Sequence, residues 1–331
     1  MIDKDTDVIN GGCEKKEWQD RRSGTGGMRI IENTTEFHLE KPGAVALGKF
    51  DGVHLGHRKL LEQVQAQKKQ GLQTVVFTFD MSAASFFGGE MKELSTREEK
   101  REIFRKLGMD VLIEFPLNRE TAATDPVEFV SRYLAEQMRT AYLCAGPDIS
   151  FGKEGAGNYE LLAGYAERFG YQVELIEKVR VKGEEVSSTR VRETIREGRM
   201  EDAALMLGAP YGVTGRVVHG RALGRRLGMP TANLLPDDSK LLPPNGVYYS
   251  RTLINGKAYR GITNVGCKPT VSEERVMGVE TYLYDFEGEI YDREMTVELL
   301  AFRRPERVFD SVEALRRQIE EDVESGRNAF F

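Results

Sequence analysis

Short apolar runs alternate with helical segments from residue 28 to about residue 204, and this alternation constrains the fold more than any other feature. The runs AVALG (44–48), TVVFTF (74–79), VLIEF (111–115) and AYLCAG (141–146) have the length and composition of buried strands. A further strand is expected near YQVELIE (171–177). Because strands and helices alternate, we expect a doubly wound parallel sheet covered by helices on both faces.

Two of the intervening helices have recognisable boundary signals. Ser95 and Glu98 have the spacing of a capping box at the start of STREEKREIFRKLG, and Gly108 is placed to end that helix. In DPVEFVSRYLAEQM, Asp125 is placed as the cap and Pro126 at the first helical position. These signals support a helix between each pair of predicted strands.

After about residue 205, strand-like runs follow one another with glycine turns between them. Examples are GVTGRVVHG, TANLL, GVYYSRTLING and REMTVELLAF, and Asn255-Gly256 is a strong hairpin signal. One helix, SVEALRRQIEEDVESG, follows. We therefore expect a small antiparallel β-barrel with a C-terminal helix. The predicted division is a polar, disordered leader (1–27), an α/β domain (28–204) and a barrel domain (205–331).

Net charge, apolar runs and cysteine placement restrict the classes of partner and the cellular compartment that we expect for this protein. A net charge of −6 argues against bulk electrostatic binding to nucleic acid or to an anionic membrane. No apolar run approaches the roughly 20 residues that span a bilayer, and the N-terminal residues lack the apolar region of a signal peptide. Cys13, Cys144 and Cys267 are odd in number and far apart, which fits a reducing compartment and no cysteine metal site. We expect a cytoplasmic protein with no nucleic-acid or membrane partner.

The stretch LGKFDGVHLGHRKLLEQV (47–64) concentrates rare residues in one turn. The chain has four histidines, and His54 and His57 lie here with Gly52 and Gly56 between and beside them. The turn follows the first predicted strand, where ligands bind in open parallel sheets. The next helix, predicted over 57–69, begins near Gly56 and directs free N–H groups at the same space, which favours a phosphate. A helix-capping turn with two incidental histidines is the alternative.

Two other stretches in this half are candidates for phosphate or ligand binding. VSSTRVRETIREG (186–198) places hydroxyl and guanidinium groups at a predicted helix start. These groups belong to Ser187, Ser188, Thr189, Arg190 and Arg192. An ordinary helix cap with solvated arginines explains the same residues. AGPDISFGKEGAGNYELL (145–162) is a glycine-rich loop after a strand, and by itself it fits any long loop.

The barrel half contains a different set of polar residues. GRVVHGRALGRRLGMPTAN (215–233) is rich in glycine and arginine, and glycines let the backbone approach phosphates closely. Thr231 and Asn233 alternate on one face of a short strand and offer oxygen ligands suited to Mg²⁺ carrying ATP phosphates, although a buried polar pair has the same pattern. Glu280 begins a predicted strand among apolar residues, and it can act as a general base or be a surface residue at a strand end.

These motifs in this order resemble a known family. The HxGH and SSTxxR patterns resemble a nucleotidyltransferase superfamily, and GKFDGVHLGH, GPDISFGK and SSTRVR together resemble the adenylyltransferase half of the bacterial bifunctional riboflavin kinase/FAD synthetases. The second half is similar to riboflavin kinase through NGVY (245–248), NVGCKPT (264–270), ETYLYDF (280–286) and FRRPERVFDSVEALRRQI (302–319). The resemblance extends over roughly residues 28–328.

The resemblance implies an enzyme with two activities. The barrel is expected to transfer the γ-phosphoryl group of ATP to riboflavin, giving FMN. The α/β domain is expected to adenylylate FMN with a second ATP, giving FAD and pyrophosphate. Mg²⁺ would accompany ATP, FMN and FAD would be substrate and product rather than prosthetic groups, and the chain would be a monomer or a weak homo-oligomer. Two alternatives are a nucleotidyltransferase for another phosphorylated metabolite with an accessory barrel, and a non-catalytic flavin-binding regulator.

The same resemblance carries functional roles onto individual positions. In the α/β half, catalysis falls to His54 and His57, ATP or phosphate binding to Gly48, Phe50, Asp51, Gly56, Ser187, Ser188, Thr189, Arg190 and Arg192, and FMN binding to Asp148, Phe151 and Asn158. In the barrel half, the base is Glu280, ATP binding falls to Gly215, Val217, Gly220, Gly228, Pro230, Thr231 and Asn233, the metal to Thr231 and Asn233, and flavin binding to Arg304.

Overall fold

A parallel sheet and a closed antiparallel barrel follow one another in the computed structural model, as the sequence predicts. The structure describes residues 27–81, 86, 88–89, 91–220, 228–269 and 275–329. All but the last residue of the predicted leader (1–27) lies outside these residues, so its disorder stays a prediction.

The sheet of the first half is parallel throughout, with strand order β1-β4-β3-β2-β5-β6. Its strands are β1 (Arg29–Glu32), β2 (Gly43–Leu47), β3 (Gln73–Phe79), β4 (Val111–Phe115), β5 (Thr140–Ala145) and β6 (Gln172–Leu175). Successive residues of β2 enter different cores, since Ala44 and Ala46 pack with Leu61 while Val45 packs with Leu134 on the other face. This double burial explains why the strands are continuous apolar runs.

Helices and short turns connect these strands. The helices are α1 (Leu55–Ala66), α2 (Arg97–Lys106), α3 (Arg119–Ala122), α4 (Pro126–Glu128), α5 (Tyr159–Phe169), α6 (Ser188–Arg196) and α7 (Met200–Leu207). Two 3₁₀ turns, Gln67–Gln70 and Lys153–Gly155, and a two-stranded hairpin, β7 (Arg180–Val181) and β8 (Glu184–Glu185), complete this half. Asp125 and Pro126 begin α4 as predicted, but the helix continues as a π-helix over Phe129–Gln137.

The capping box of α2 lies one residue later than predicted. Thr96, not Ser95, is the cap: its hydroxyl accepts from the backbone N–H of Glu99, whose carboxylate accepts from the N–H of Thr96. The backbone N–H of Ser95 instead donates to the carboxylate of Asp51. A contact distant in sequence therefore fixes Ser95 outside the helix.

The second half is a closed barrel with strand order β10-β13-β12-β11-β14-β9. Its strands are β9 (Tyr211–Val218), β10 (Thr231–Pro236), β11 (Gly246–Ile254), β12 (Lys257–Pro269), β13 (Arg275–Leu283) and β14 (Glu294–Pro305), and α8 (Val312–Ala329) follows. Asn255 and Gly256 have φ of 50° and 77° and form the predicted hairpin turn. Glu280 lies within β13 rather than at its start.

The hydrophobic core of the barrel continues into the last helices of the first half. Val191 and Ile195 of α6 and Met206 of α7 belong to the same buried cluster as Tyr211 and Leu299 of the barrel. The predicted domain boundary after residue 204 therefore falls inside α7 and inside this shared core.

Helix α8 is fixed to the barrel by one buried carboxylate. Asp322 is 2% exposed, and it pairs with Arg303 Nε at 2.7 Å and with Arg304 Nη2 at 2.5 Å. Both guanidinium groups belong to β14, so the carboxylate joins the last strand to the last helix.

We predict that Asp322→Ala strongly destabilises the protein, because it leaves two largely buried guanidinium groups without their carboxylate. Loss of one partner of a buried pair costs about 3–5 kcal/mol, and urea unfolding measures the loss. Arg316→Ala is the control, since its exposed pair with Glu320 should contribute less than about 1 kcal/mol. Equal, small losses in both variants would contradict the assigned role of Asp322.

Candidate active sites

The turn between β2 and α1 has an unusual backbone. Phe50, Gly52 and Val53 have φ of 51°, 82° and 40°, and two of these residues are not glycine. Such conformations cost about 1–3 kcal/mol each and persist where the surrounding structure imposes them. The N–H of Gly48 donates to the carbonyl of Phe77 at 3.2 Å, so the turn leaves from the carboxyl end of β2 as predicted.

The two histidines of this turn are stacked on one another. Their ring centroids lie 3.8 Å apart at an interplanar angle of 15°, and His54 Nδ1 accepts from the backbone N–H of His57. Gly56 makes this possible, because a Cβ there would lie 3.2 Å from the His54 ring. The ring of Phe50 is fully buried, 5.1 Å from that of His57, so Phe50 supports the histidine pair from the core.

Burial keeps both imidazoles neutral. Desolvation lowers the pKa of His54 to about 4, and it lowers the pKa of His57 well below its usual range. Among the described residues, His57 Nδ1 is buried without a hydrogen-bond partner. A buried ring nitrogen with no partner is unfavourable, so the fold leaves hydrogen-bonding capacity unused at this pair.

Asp51 joins the histidine turn to the second predicted motif. Its backbone carbonyl accepts from Ser188 Oγ at 2.9 Å, and its carboxylate pairs with Arg192 Nη2 at 2.5 Å. Ser187 caps α6 by accepting from the N–H of Arg190, and Thr189 is exposed. The N-termini of α1 and α6 therefore lie beside the same turn, and free N–H groups at helix N-termini favour an anion.

The two arginines of the second motif already have protein partners. Arg192 is 8% exposed, and besides Asp51 it contacts the carbonyl of Lys92 at 3.4 Å. Arg190 donates to the carbonyls of Val181 and Glu184 and fastens the β7–β8 hairpin to α6. Arg192 therefore binds a carboxylate and a backbone carbonyl, Arg190 binds backbone carbonyls, and phosphate binding by either residue stays a prediction.

The glycine-rich loop after β5 supplies one exposed carboxylate near the histidines. The charge of Asp148 raises the pKa of His54, against the larger effect of burial. Phe151 is 3% exposed and packs against Phe129 at 5.0 Å, and Asn158 caps α5. Of the three predicted FMN contacts, Asp148 thus lies close enough to His54 to affect its pKa, while Phe151 packs in the core and Asn158 caps a helix.

A groove of about 370 Å³ opens at the carboxyl ends of β5 and β6. The following residues line it: Pro147, Leu175, Glu177, Lys178, Arg180 and Glu185. Lys178 Nζ lies 3.9 Å from the carboxylate of Asp148, so the groove continues from the exposed part of the loop.

In the barrel, three polar side chains share one row of the sheet. Asn233 of β10 is opposite Glu280 of β13, and Glu280 is opposite Asn264 of β12. Directly paired residues project from the same face of a sheet. Thr231 Oγ1 donates to Glu280 Oε1. The predicted metal ligands and the predicted base therefore form one cluster.

Glycines of the predicted ATP stretch allow close backbone approaches. A Cβ at Gly220 would lie 2.4 Å from the amide of Asn233, and one at Gly215 would lie 2.4 Å from the carbonyl of Leu235. Val217 is buried in the core. Gly228 has φ of 79° and Pro230 directly precedes β10. Residues 221–227 of this stretch lie outside the described residues.

Arg304 lies in the same row, and the row contains residues that the sequence did not single out. Val247 is paired with both Arg304 and Asn264. Asn264 donates to Glu306 at 3.1 Å, whereas the guanidinium of Arg304 is held by Asp322. Glu306 lies in the segment FRRPERVF, which the family resemblance included, so it could have been noticed in the sequence. Nothing in that segment showed that Asp322 is the partner of Arg304.

Comparisons with known proteins match both halves of the chain. The sequence pattern of the FAD synthetase family matches residues 37–190, and that of the riboflavin kinase family matches residues 207–330. A bifunctional riboflavin kinase/FMN adenylyltransferase of Listeria monocytogenes is 36% identical over 90% of this chain and 95% of its own length. Proteins of the same name from Bacillus subtilis and Escherichia coli K12 are 33% and 32% identical, each over 92% of this chain and over 98% and 97% of their own lengths.

A solved structure agrees over the same extent. The crystal structure named as a macrolide-efflux protein from Streptococcus pneumoniae has a TM-score of 0.81 and 30% identity, covering 90% of this chain and 98% of that chain. In the part of this chain that the structure describes, no helix has the length and apolarity needed to cross a bilayer.

We predict that His54 makes stability depend on pH between about 6.5 and about 4. The unfolded state binds the proton at the higher pKa, so the free energy of unfolding falls as pH decreases through this window. The difference in pKa corresponds to about 3 kcal/mol at the acid end. Urea unfolding of wild type and His54→Gln from pH 7 to pH 4 should give a shallower dependence for the variant. Exposed His38→Gln is the control, and parallel curves for wild type and His54→Gln would contradict the buried neutral histidine.

Proposed function

The chain belongs to the family of bifunctional riboflavin kinase/FMN adenylyltransferases, and from this premise we propose which of its residues perform each reaction. It phosphorylates riboflavin to FMN and adenylylates FMN to FAD, so riboflavin, FMN and ATP are its small-molecule substrates. For the adenylyltransferase residues, the main support is that two predicted motifs meet at Asp51.

In the adenylyltransferase half, the triphosphate of ATP binds between the N-termini of α1 and α6. Both helices offer backbone N–H groups there, and His54 and His57 add ring nitrogens. The FMN phosphate attacks the α-phosphorus, and the pyrophosphate that leaves carries the developing negative charge. The histidines and the helix termini stabilise that charge, so the reaction needs positioning and electrostatics but no covalent enzyme intermediate.

Anionic substrate also changes the protonation of the histidine pair. A nearby negative charge raises the pKa of an imidazole, which opposes the effect of burial on His54 and His57. Asp148 and the adjacent groove are proposed to position FMN or the nucleoside of ATP, because a volume of about 370 Å³ lies in the range of small-ligand sites. Phe151 and Asn158 contribute by holding the loop in shape.

In the kinase half, Glu280 accepts the proton of the ribityl 5′-hydroxyl as that oxygen attacks the γ-phosphorus of ATP. Its hydrogen bond from Thr231 orients the carboxylate. The oxygen atoms of Thr231 and Asn233 fit the donor set that Mg²⁺ prefers, and these two residues would hold the ion. When bound with ATP, Mg²⁺ neutralises phosphate charge. Arg304 is proposed to bind flavin beside Asn264, which lies in the same row of the sheet. Asp322 holds its guanidinium in place.

Two features of the proposal concern the protein in the cell. We place the enzyme in the cytoplasm, because Cys144 and Cys267 are free thiols and thiols persist in reducing compartments. A monomer or a weak homo-oligomer remains the expectation. The alternative of an accessory barrel is disfavoured by the riboflavin kinase pattern over the whole barrel, and the alternative of a non-catalytic regulator by the intact cluster of Thr231, Asn233 and Glu280.

We predict that single substitutions separate the two activities. His57→Ala should lower FMN adenylylation by about 10²–10³, the effect of one lost charge-stabilising donor, and FMN should accumulate from riboflavin. Glu280→Gln should lower riboflavin phosphorylation by about 10²–10⁴, while added FMN is still adenylylated. Chromatography of flavin products measures both.

A mixture of the two variants provides the control for this separation. FMN released by His57→Ala can diffuse to the intact adenylyltransferase site of Glu280→Gln, so the mixture should make FAD from riboflavin. Loss of both activities in either variant, with an unchanged circular dichroism spectrum, would refute the assignment of the two residues to different reactions.

We also predict that Asn233→Leu abolishes most riboflavin phosphorylation. The substitution keeps approximate size and removes the amide oxygen that would bind the metal, and such ligands contribute several kcal/mol to transition-state stabilisation. Riboflavin phosphorylation at saturating ATP across a magnesium titration is the measurement, with exposed Asn328→Leu as the control. Wild-type turnover in Asn233→Leu would remove Asn233 from the site.

A further inference from the structure

Residues 92–95 form a short segment between the two halves. On one side, its backbone contacts Asp51 and Arg192 of the proposed adenylyltransferase site. The backbone N–H groups of Leu94 and Ser95 donate to the Asp51 carboxylate at 2.8 and 3.3 Å. The carbonyl of Lys92 accepts from Arg192. This segment, called the 92–95 segment below, therefore contacts both motifs, which lie 141 residues apart at Asp51 and Arg192.

On its other side the same segment is bound to the kinase barrel. The N–H of Glu93 donates to the carbonyl of Ser239 at 2.6 Å, and the N–H of Leu241 donates to the carbonyl of Glu93 at 2.8 Å. Residues 93 and 240 thus pair as a parallel bridge. Among the described residues, this bridge to the barrel is the sheet-like pairing of the 92–95 segment.

The side chain of Lys240 reinforces this bridge from inside the protein. Its side chain is 2% exposed, and its Nζ lies 2.5 Å from Glu99 Oε2 and 2.7 Å from the carbonyl of Leu94. The ammonium also lies 4.3 Å from the ring centre of Tyr211. A buried lysine with three such partners is fixed in position, and the carbonyl that it holds belongs to the residue whose N–H binds Asp51.

We propose that Lys240, a residue of the kinase barrel, is a positioning residue of the adenylyltransferase site. It acts through Leu94 on the carboxylate of Asp51, and through Asp51 on Ser188 and Arg192 of α6. The barrel is then part of the scaffold of the other reaction, in addition to performing its own. This inference rests on the proposed adenylyltransferase site, which His57→Ala tests independently.

Helix α6 gives the inference independent support. Val191 and Ile195 of α6 belong to the buried cluster that continues through α7 into the barrel, so the buried face of this helix and its Asp51 anchor both adjoin barrel residues. Ser188 is at the first turn of the same helix. A shift of the 92–95 segment therefore changes the helix terminus that faces the triphosphate, without changing the cluster around Glu280.

The test uses full-length Lys240→Met, Lys240→Arg and Lys257→Met, with His57→Ala assayed alongside. Lys257 is a matched control, because its Nζ also lies near an aromatic ring, that of Tyr259 at 4.9 Å, but it is exposed and has no ion pair with the first half among the residues that the structure describes. Each protein is assayed for FMN adenylylation, with kcat and KM for ATP and FMN determined separately, and for riboflavin phosphorylation at the same temperature.

We expect Lys240→Met to lower kcat for adenylylation at least tenfold, since misplacement of a positioning group by about 1 Å costs up to about 10²-fold. Riboflavin phosphorylation should stay within about threefold, Lys240→Arg should recover most of the adenylylation, and Lys257→Met should change neither. A parallel fall of both activities, or unchanged adenylylation in Lys240→Met, would overturn the proposal. If His57→Ala leaves adenylylation intact, the proposed site itself is wrong.

The double variant Lys240→Met/Glu99→Gln covers the possibility that an unpaired buried carboxylate prevents folding. Its glutamine oxygen can still accept from the N–H of Thr214, as Glu99 Oε1 does at 2.9 Å, while the acceptor for the N–H of Thr96 is lost. We expect its melting temperature to recover relative to Lys240→Met while adenylylation remains low, because the contact to Leu94 is still absent. Recovery of adenylylation to the wild-type level would show that charge burial, not positioning, explains the single variant.

Discussion

The carboxylate of Asp51 is the interaction on which the adenylyltransferase half depends. One side chain and its backbone carbonyl bind Arg192, Ser188 and the N–H groups of Leu94 and Ser95. Charge-assisted hydrogen bonds of this kind are stronger than neutral ones, and burial strengthens them further. The bound groups come from two separate segments, α6 and residues 94–95. Loss of the carboxylate would remove its contacts to Arg192, Leu94 and Ser95, and only the bond from Ser188 to the backbone carbonyl would remain.

The shared core has a consequence for how the two reactions are related. The barrel carries its own cluster of Thr231, Asn233 and Glu280, and its core continues into the buried faces of α6 and α7. The two reactions can therefore be chemically independent although the two halves of the structure share a core. In the proposed mechanism FMN diffuses from one site to the other and neither site supplies a reacting group to the other, yet the helix that carries the second motif shares a buried core with the barrel.

Local signals in the sequence predicted the strands, the Asn255-Gly256 hairpin and the caps at Asp125 and Ser187, because each depends on a few neighbouring residues. They did not reveal β1, an edge strand of four residues, or the π-helix after Glu128. The capping box moved from Ser95 to Thr96 because Asp51, far away in sequence, binds the N–H of Ser95. These features depend on tertiary contacts, which the local propensities of the residues do not report.

The same distinction applies to the candidate sites. Residue types and placement singled out His54, His57, Thr231, Asn233 and Glu280 as candidates, the family resemblance assigned their roles, and the structure brings each group together. The sequence could not show that Arg190, Arg192 and Arg304 are engaged with protein partners, since those partners lie on other elements. It also gave no indication of Lys240, which looks like a surface lysine in a loop until the fold places Glu99 and Tyr211 around it.

One chain transfers a phosphoryl group to riboflavin and then an adenylyl group to the resulting FMN, and the two groups carry different phosphorus atoms of ATP. Parallel reactions of the purified full-length protein with riboflavin, Mg²⁺ and ATP labelled at either the γ- or the α-phosphorus test it directly. We expect γ-label to appear first in FMN and then in FAD, and α-label to appear in FAD and never in FMN. FAD that contains α-label but no γ-label from riboflavin, or FMN that accumulates with no α-label entering FAD, would contradict it.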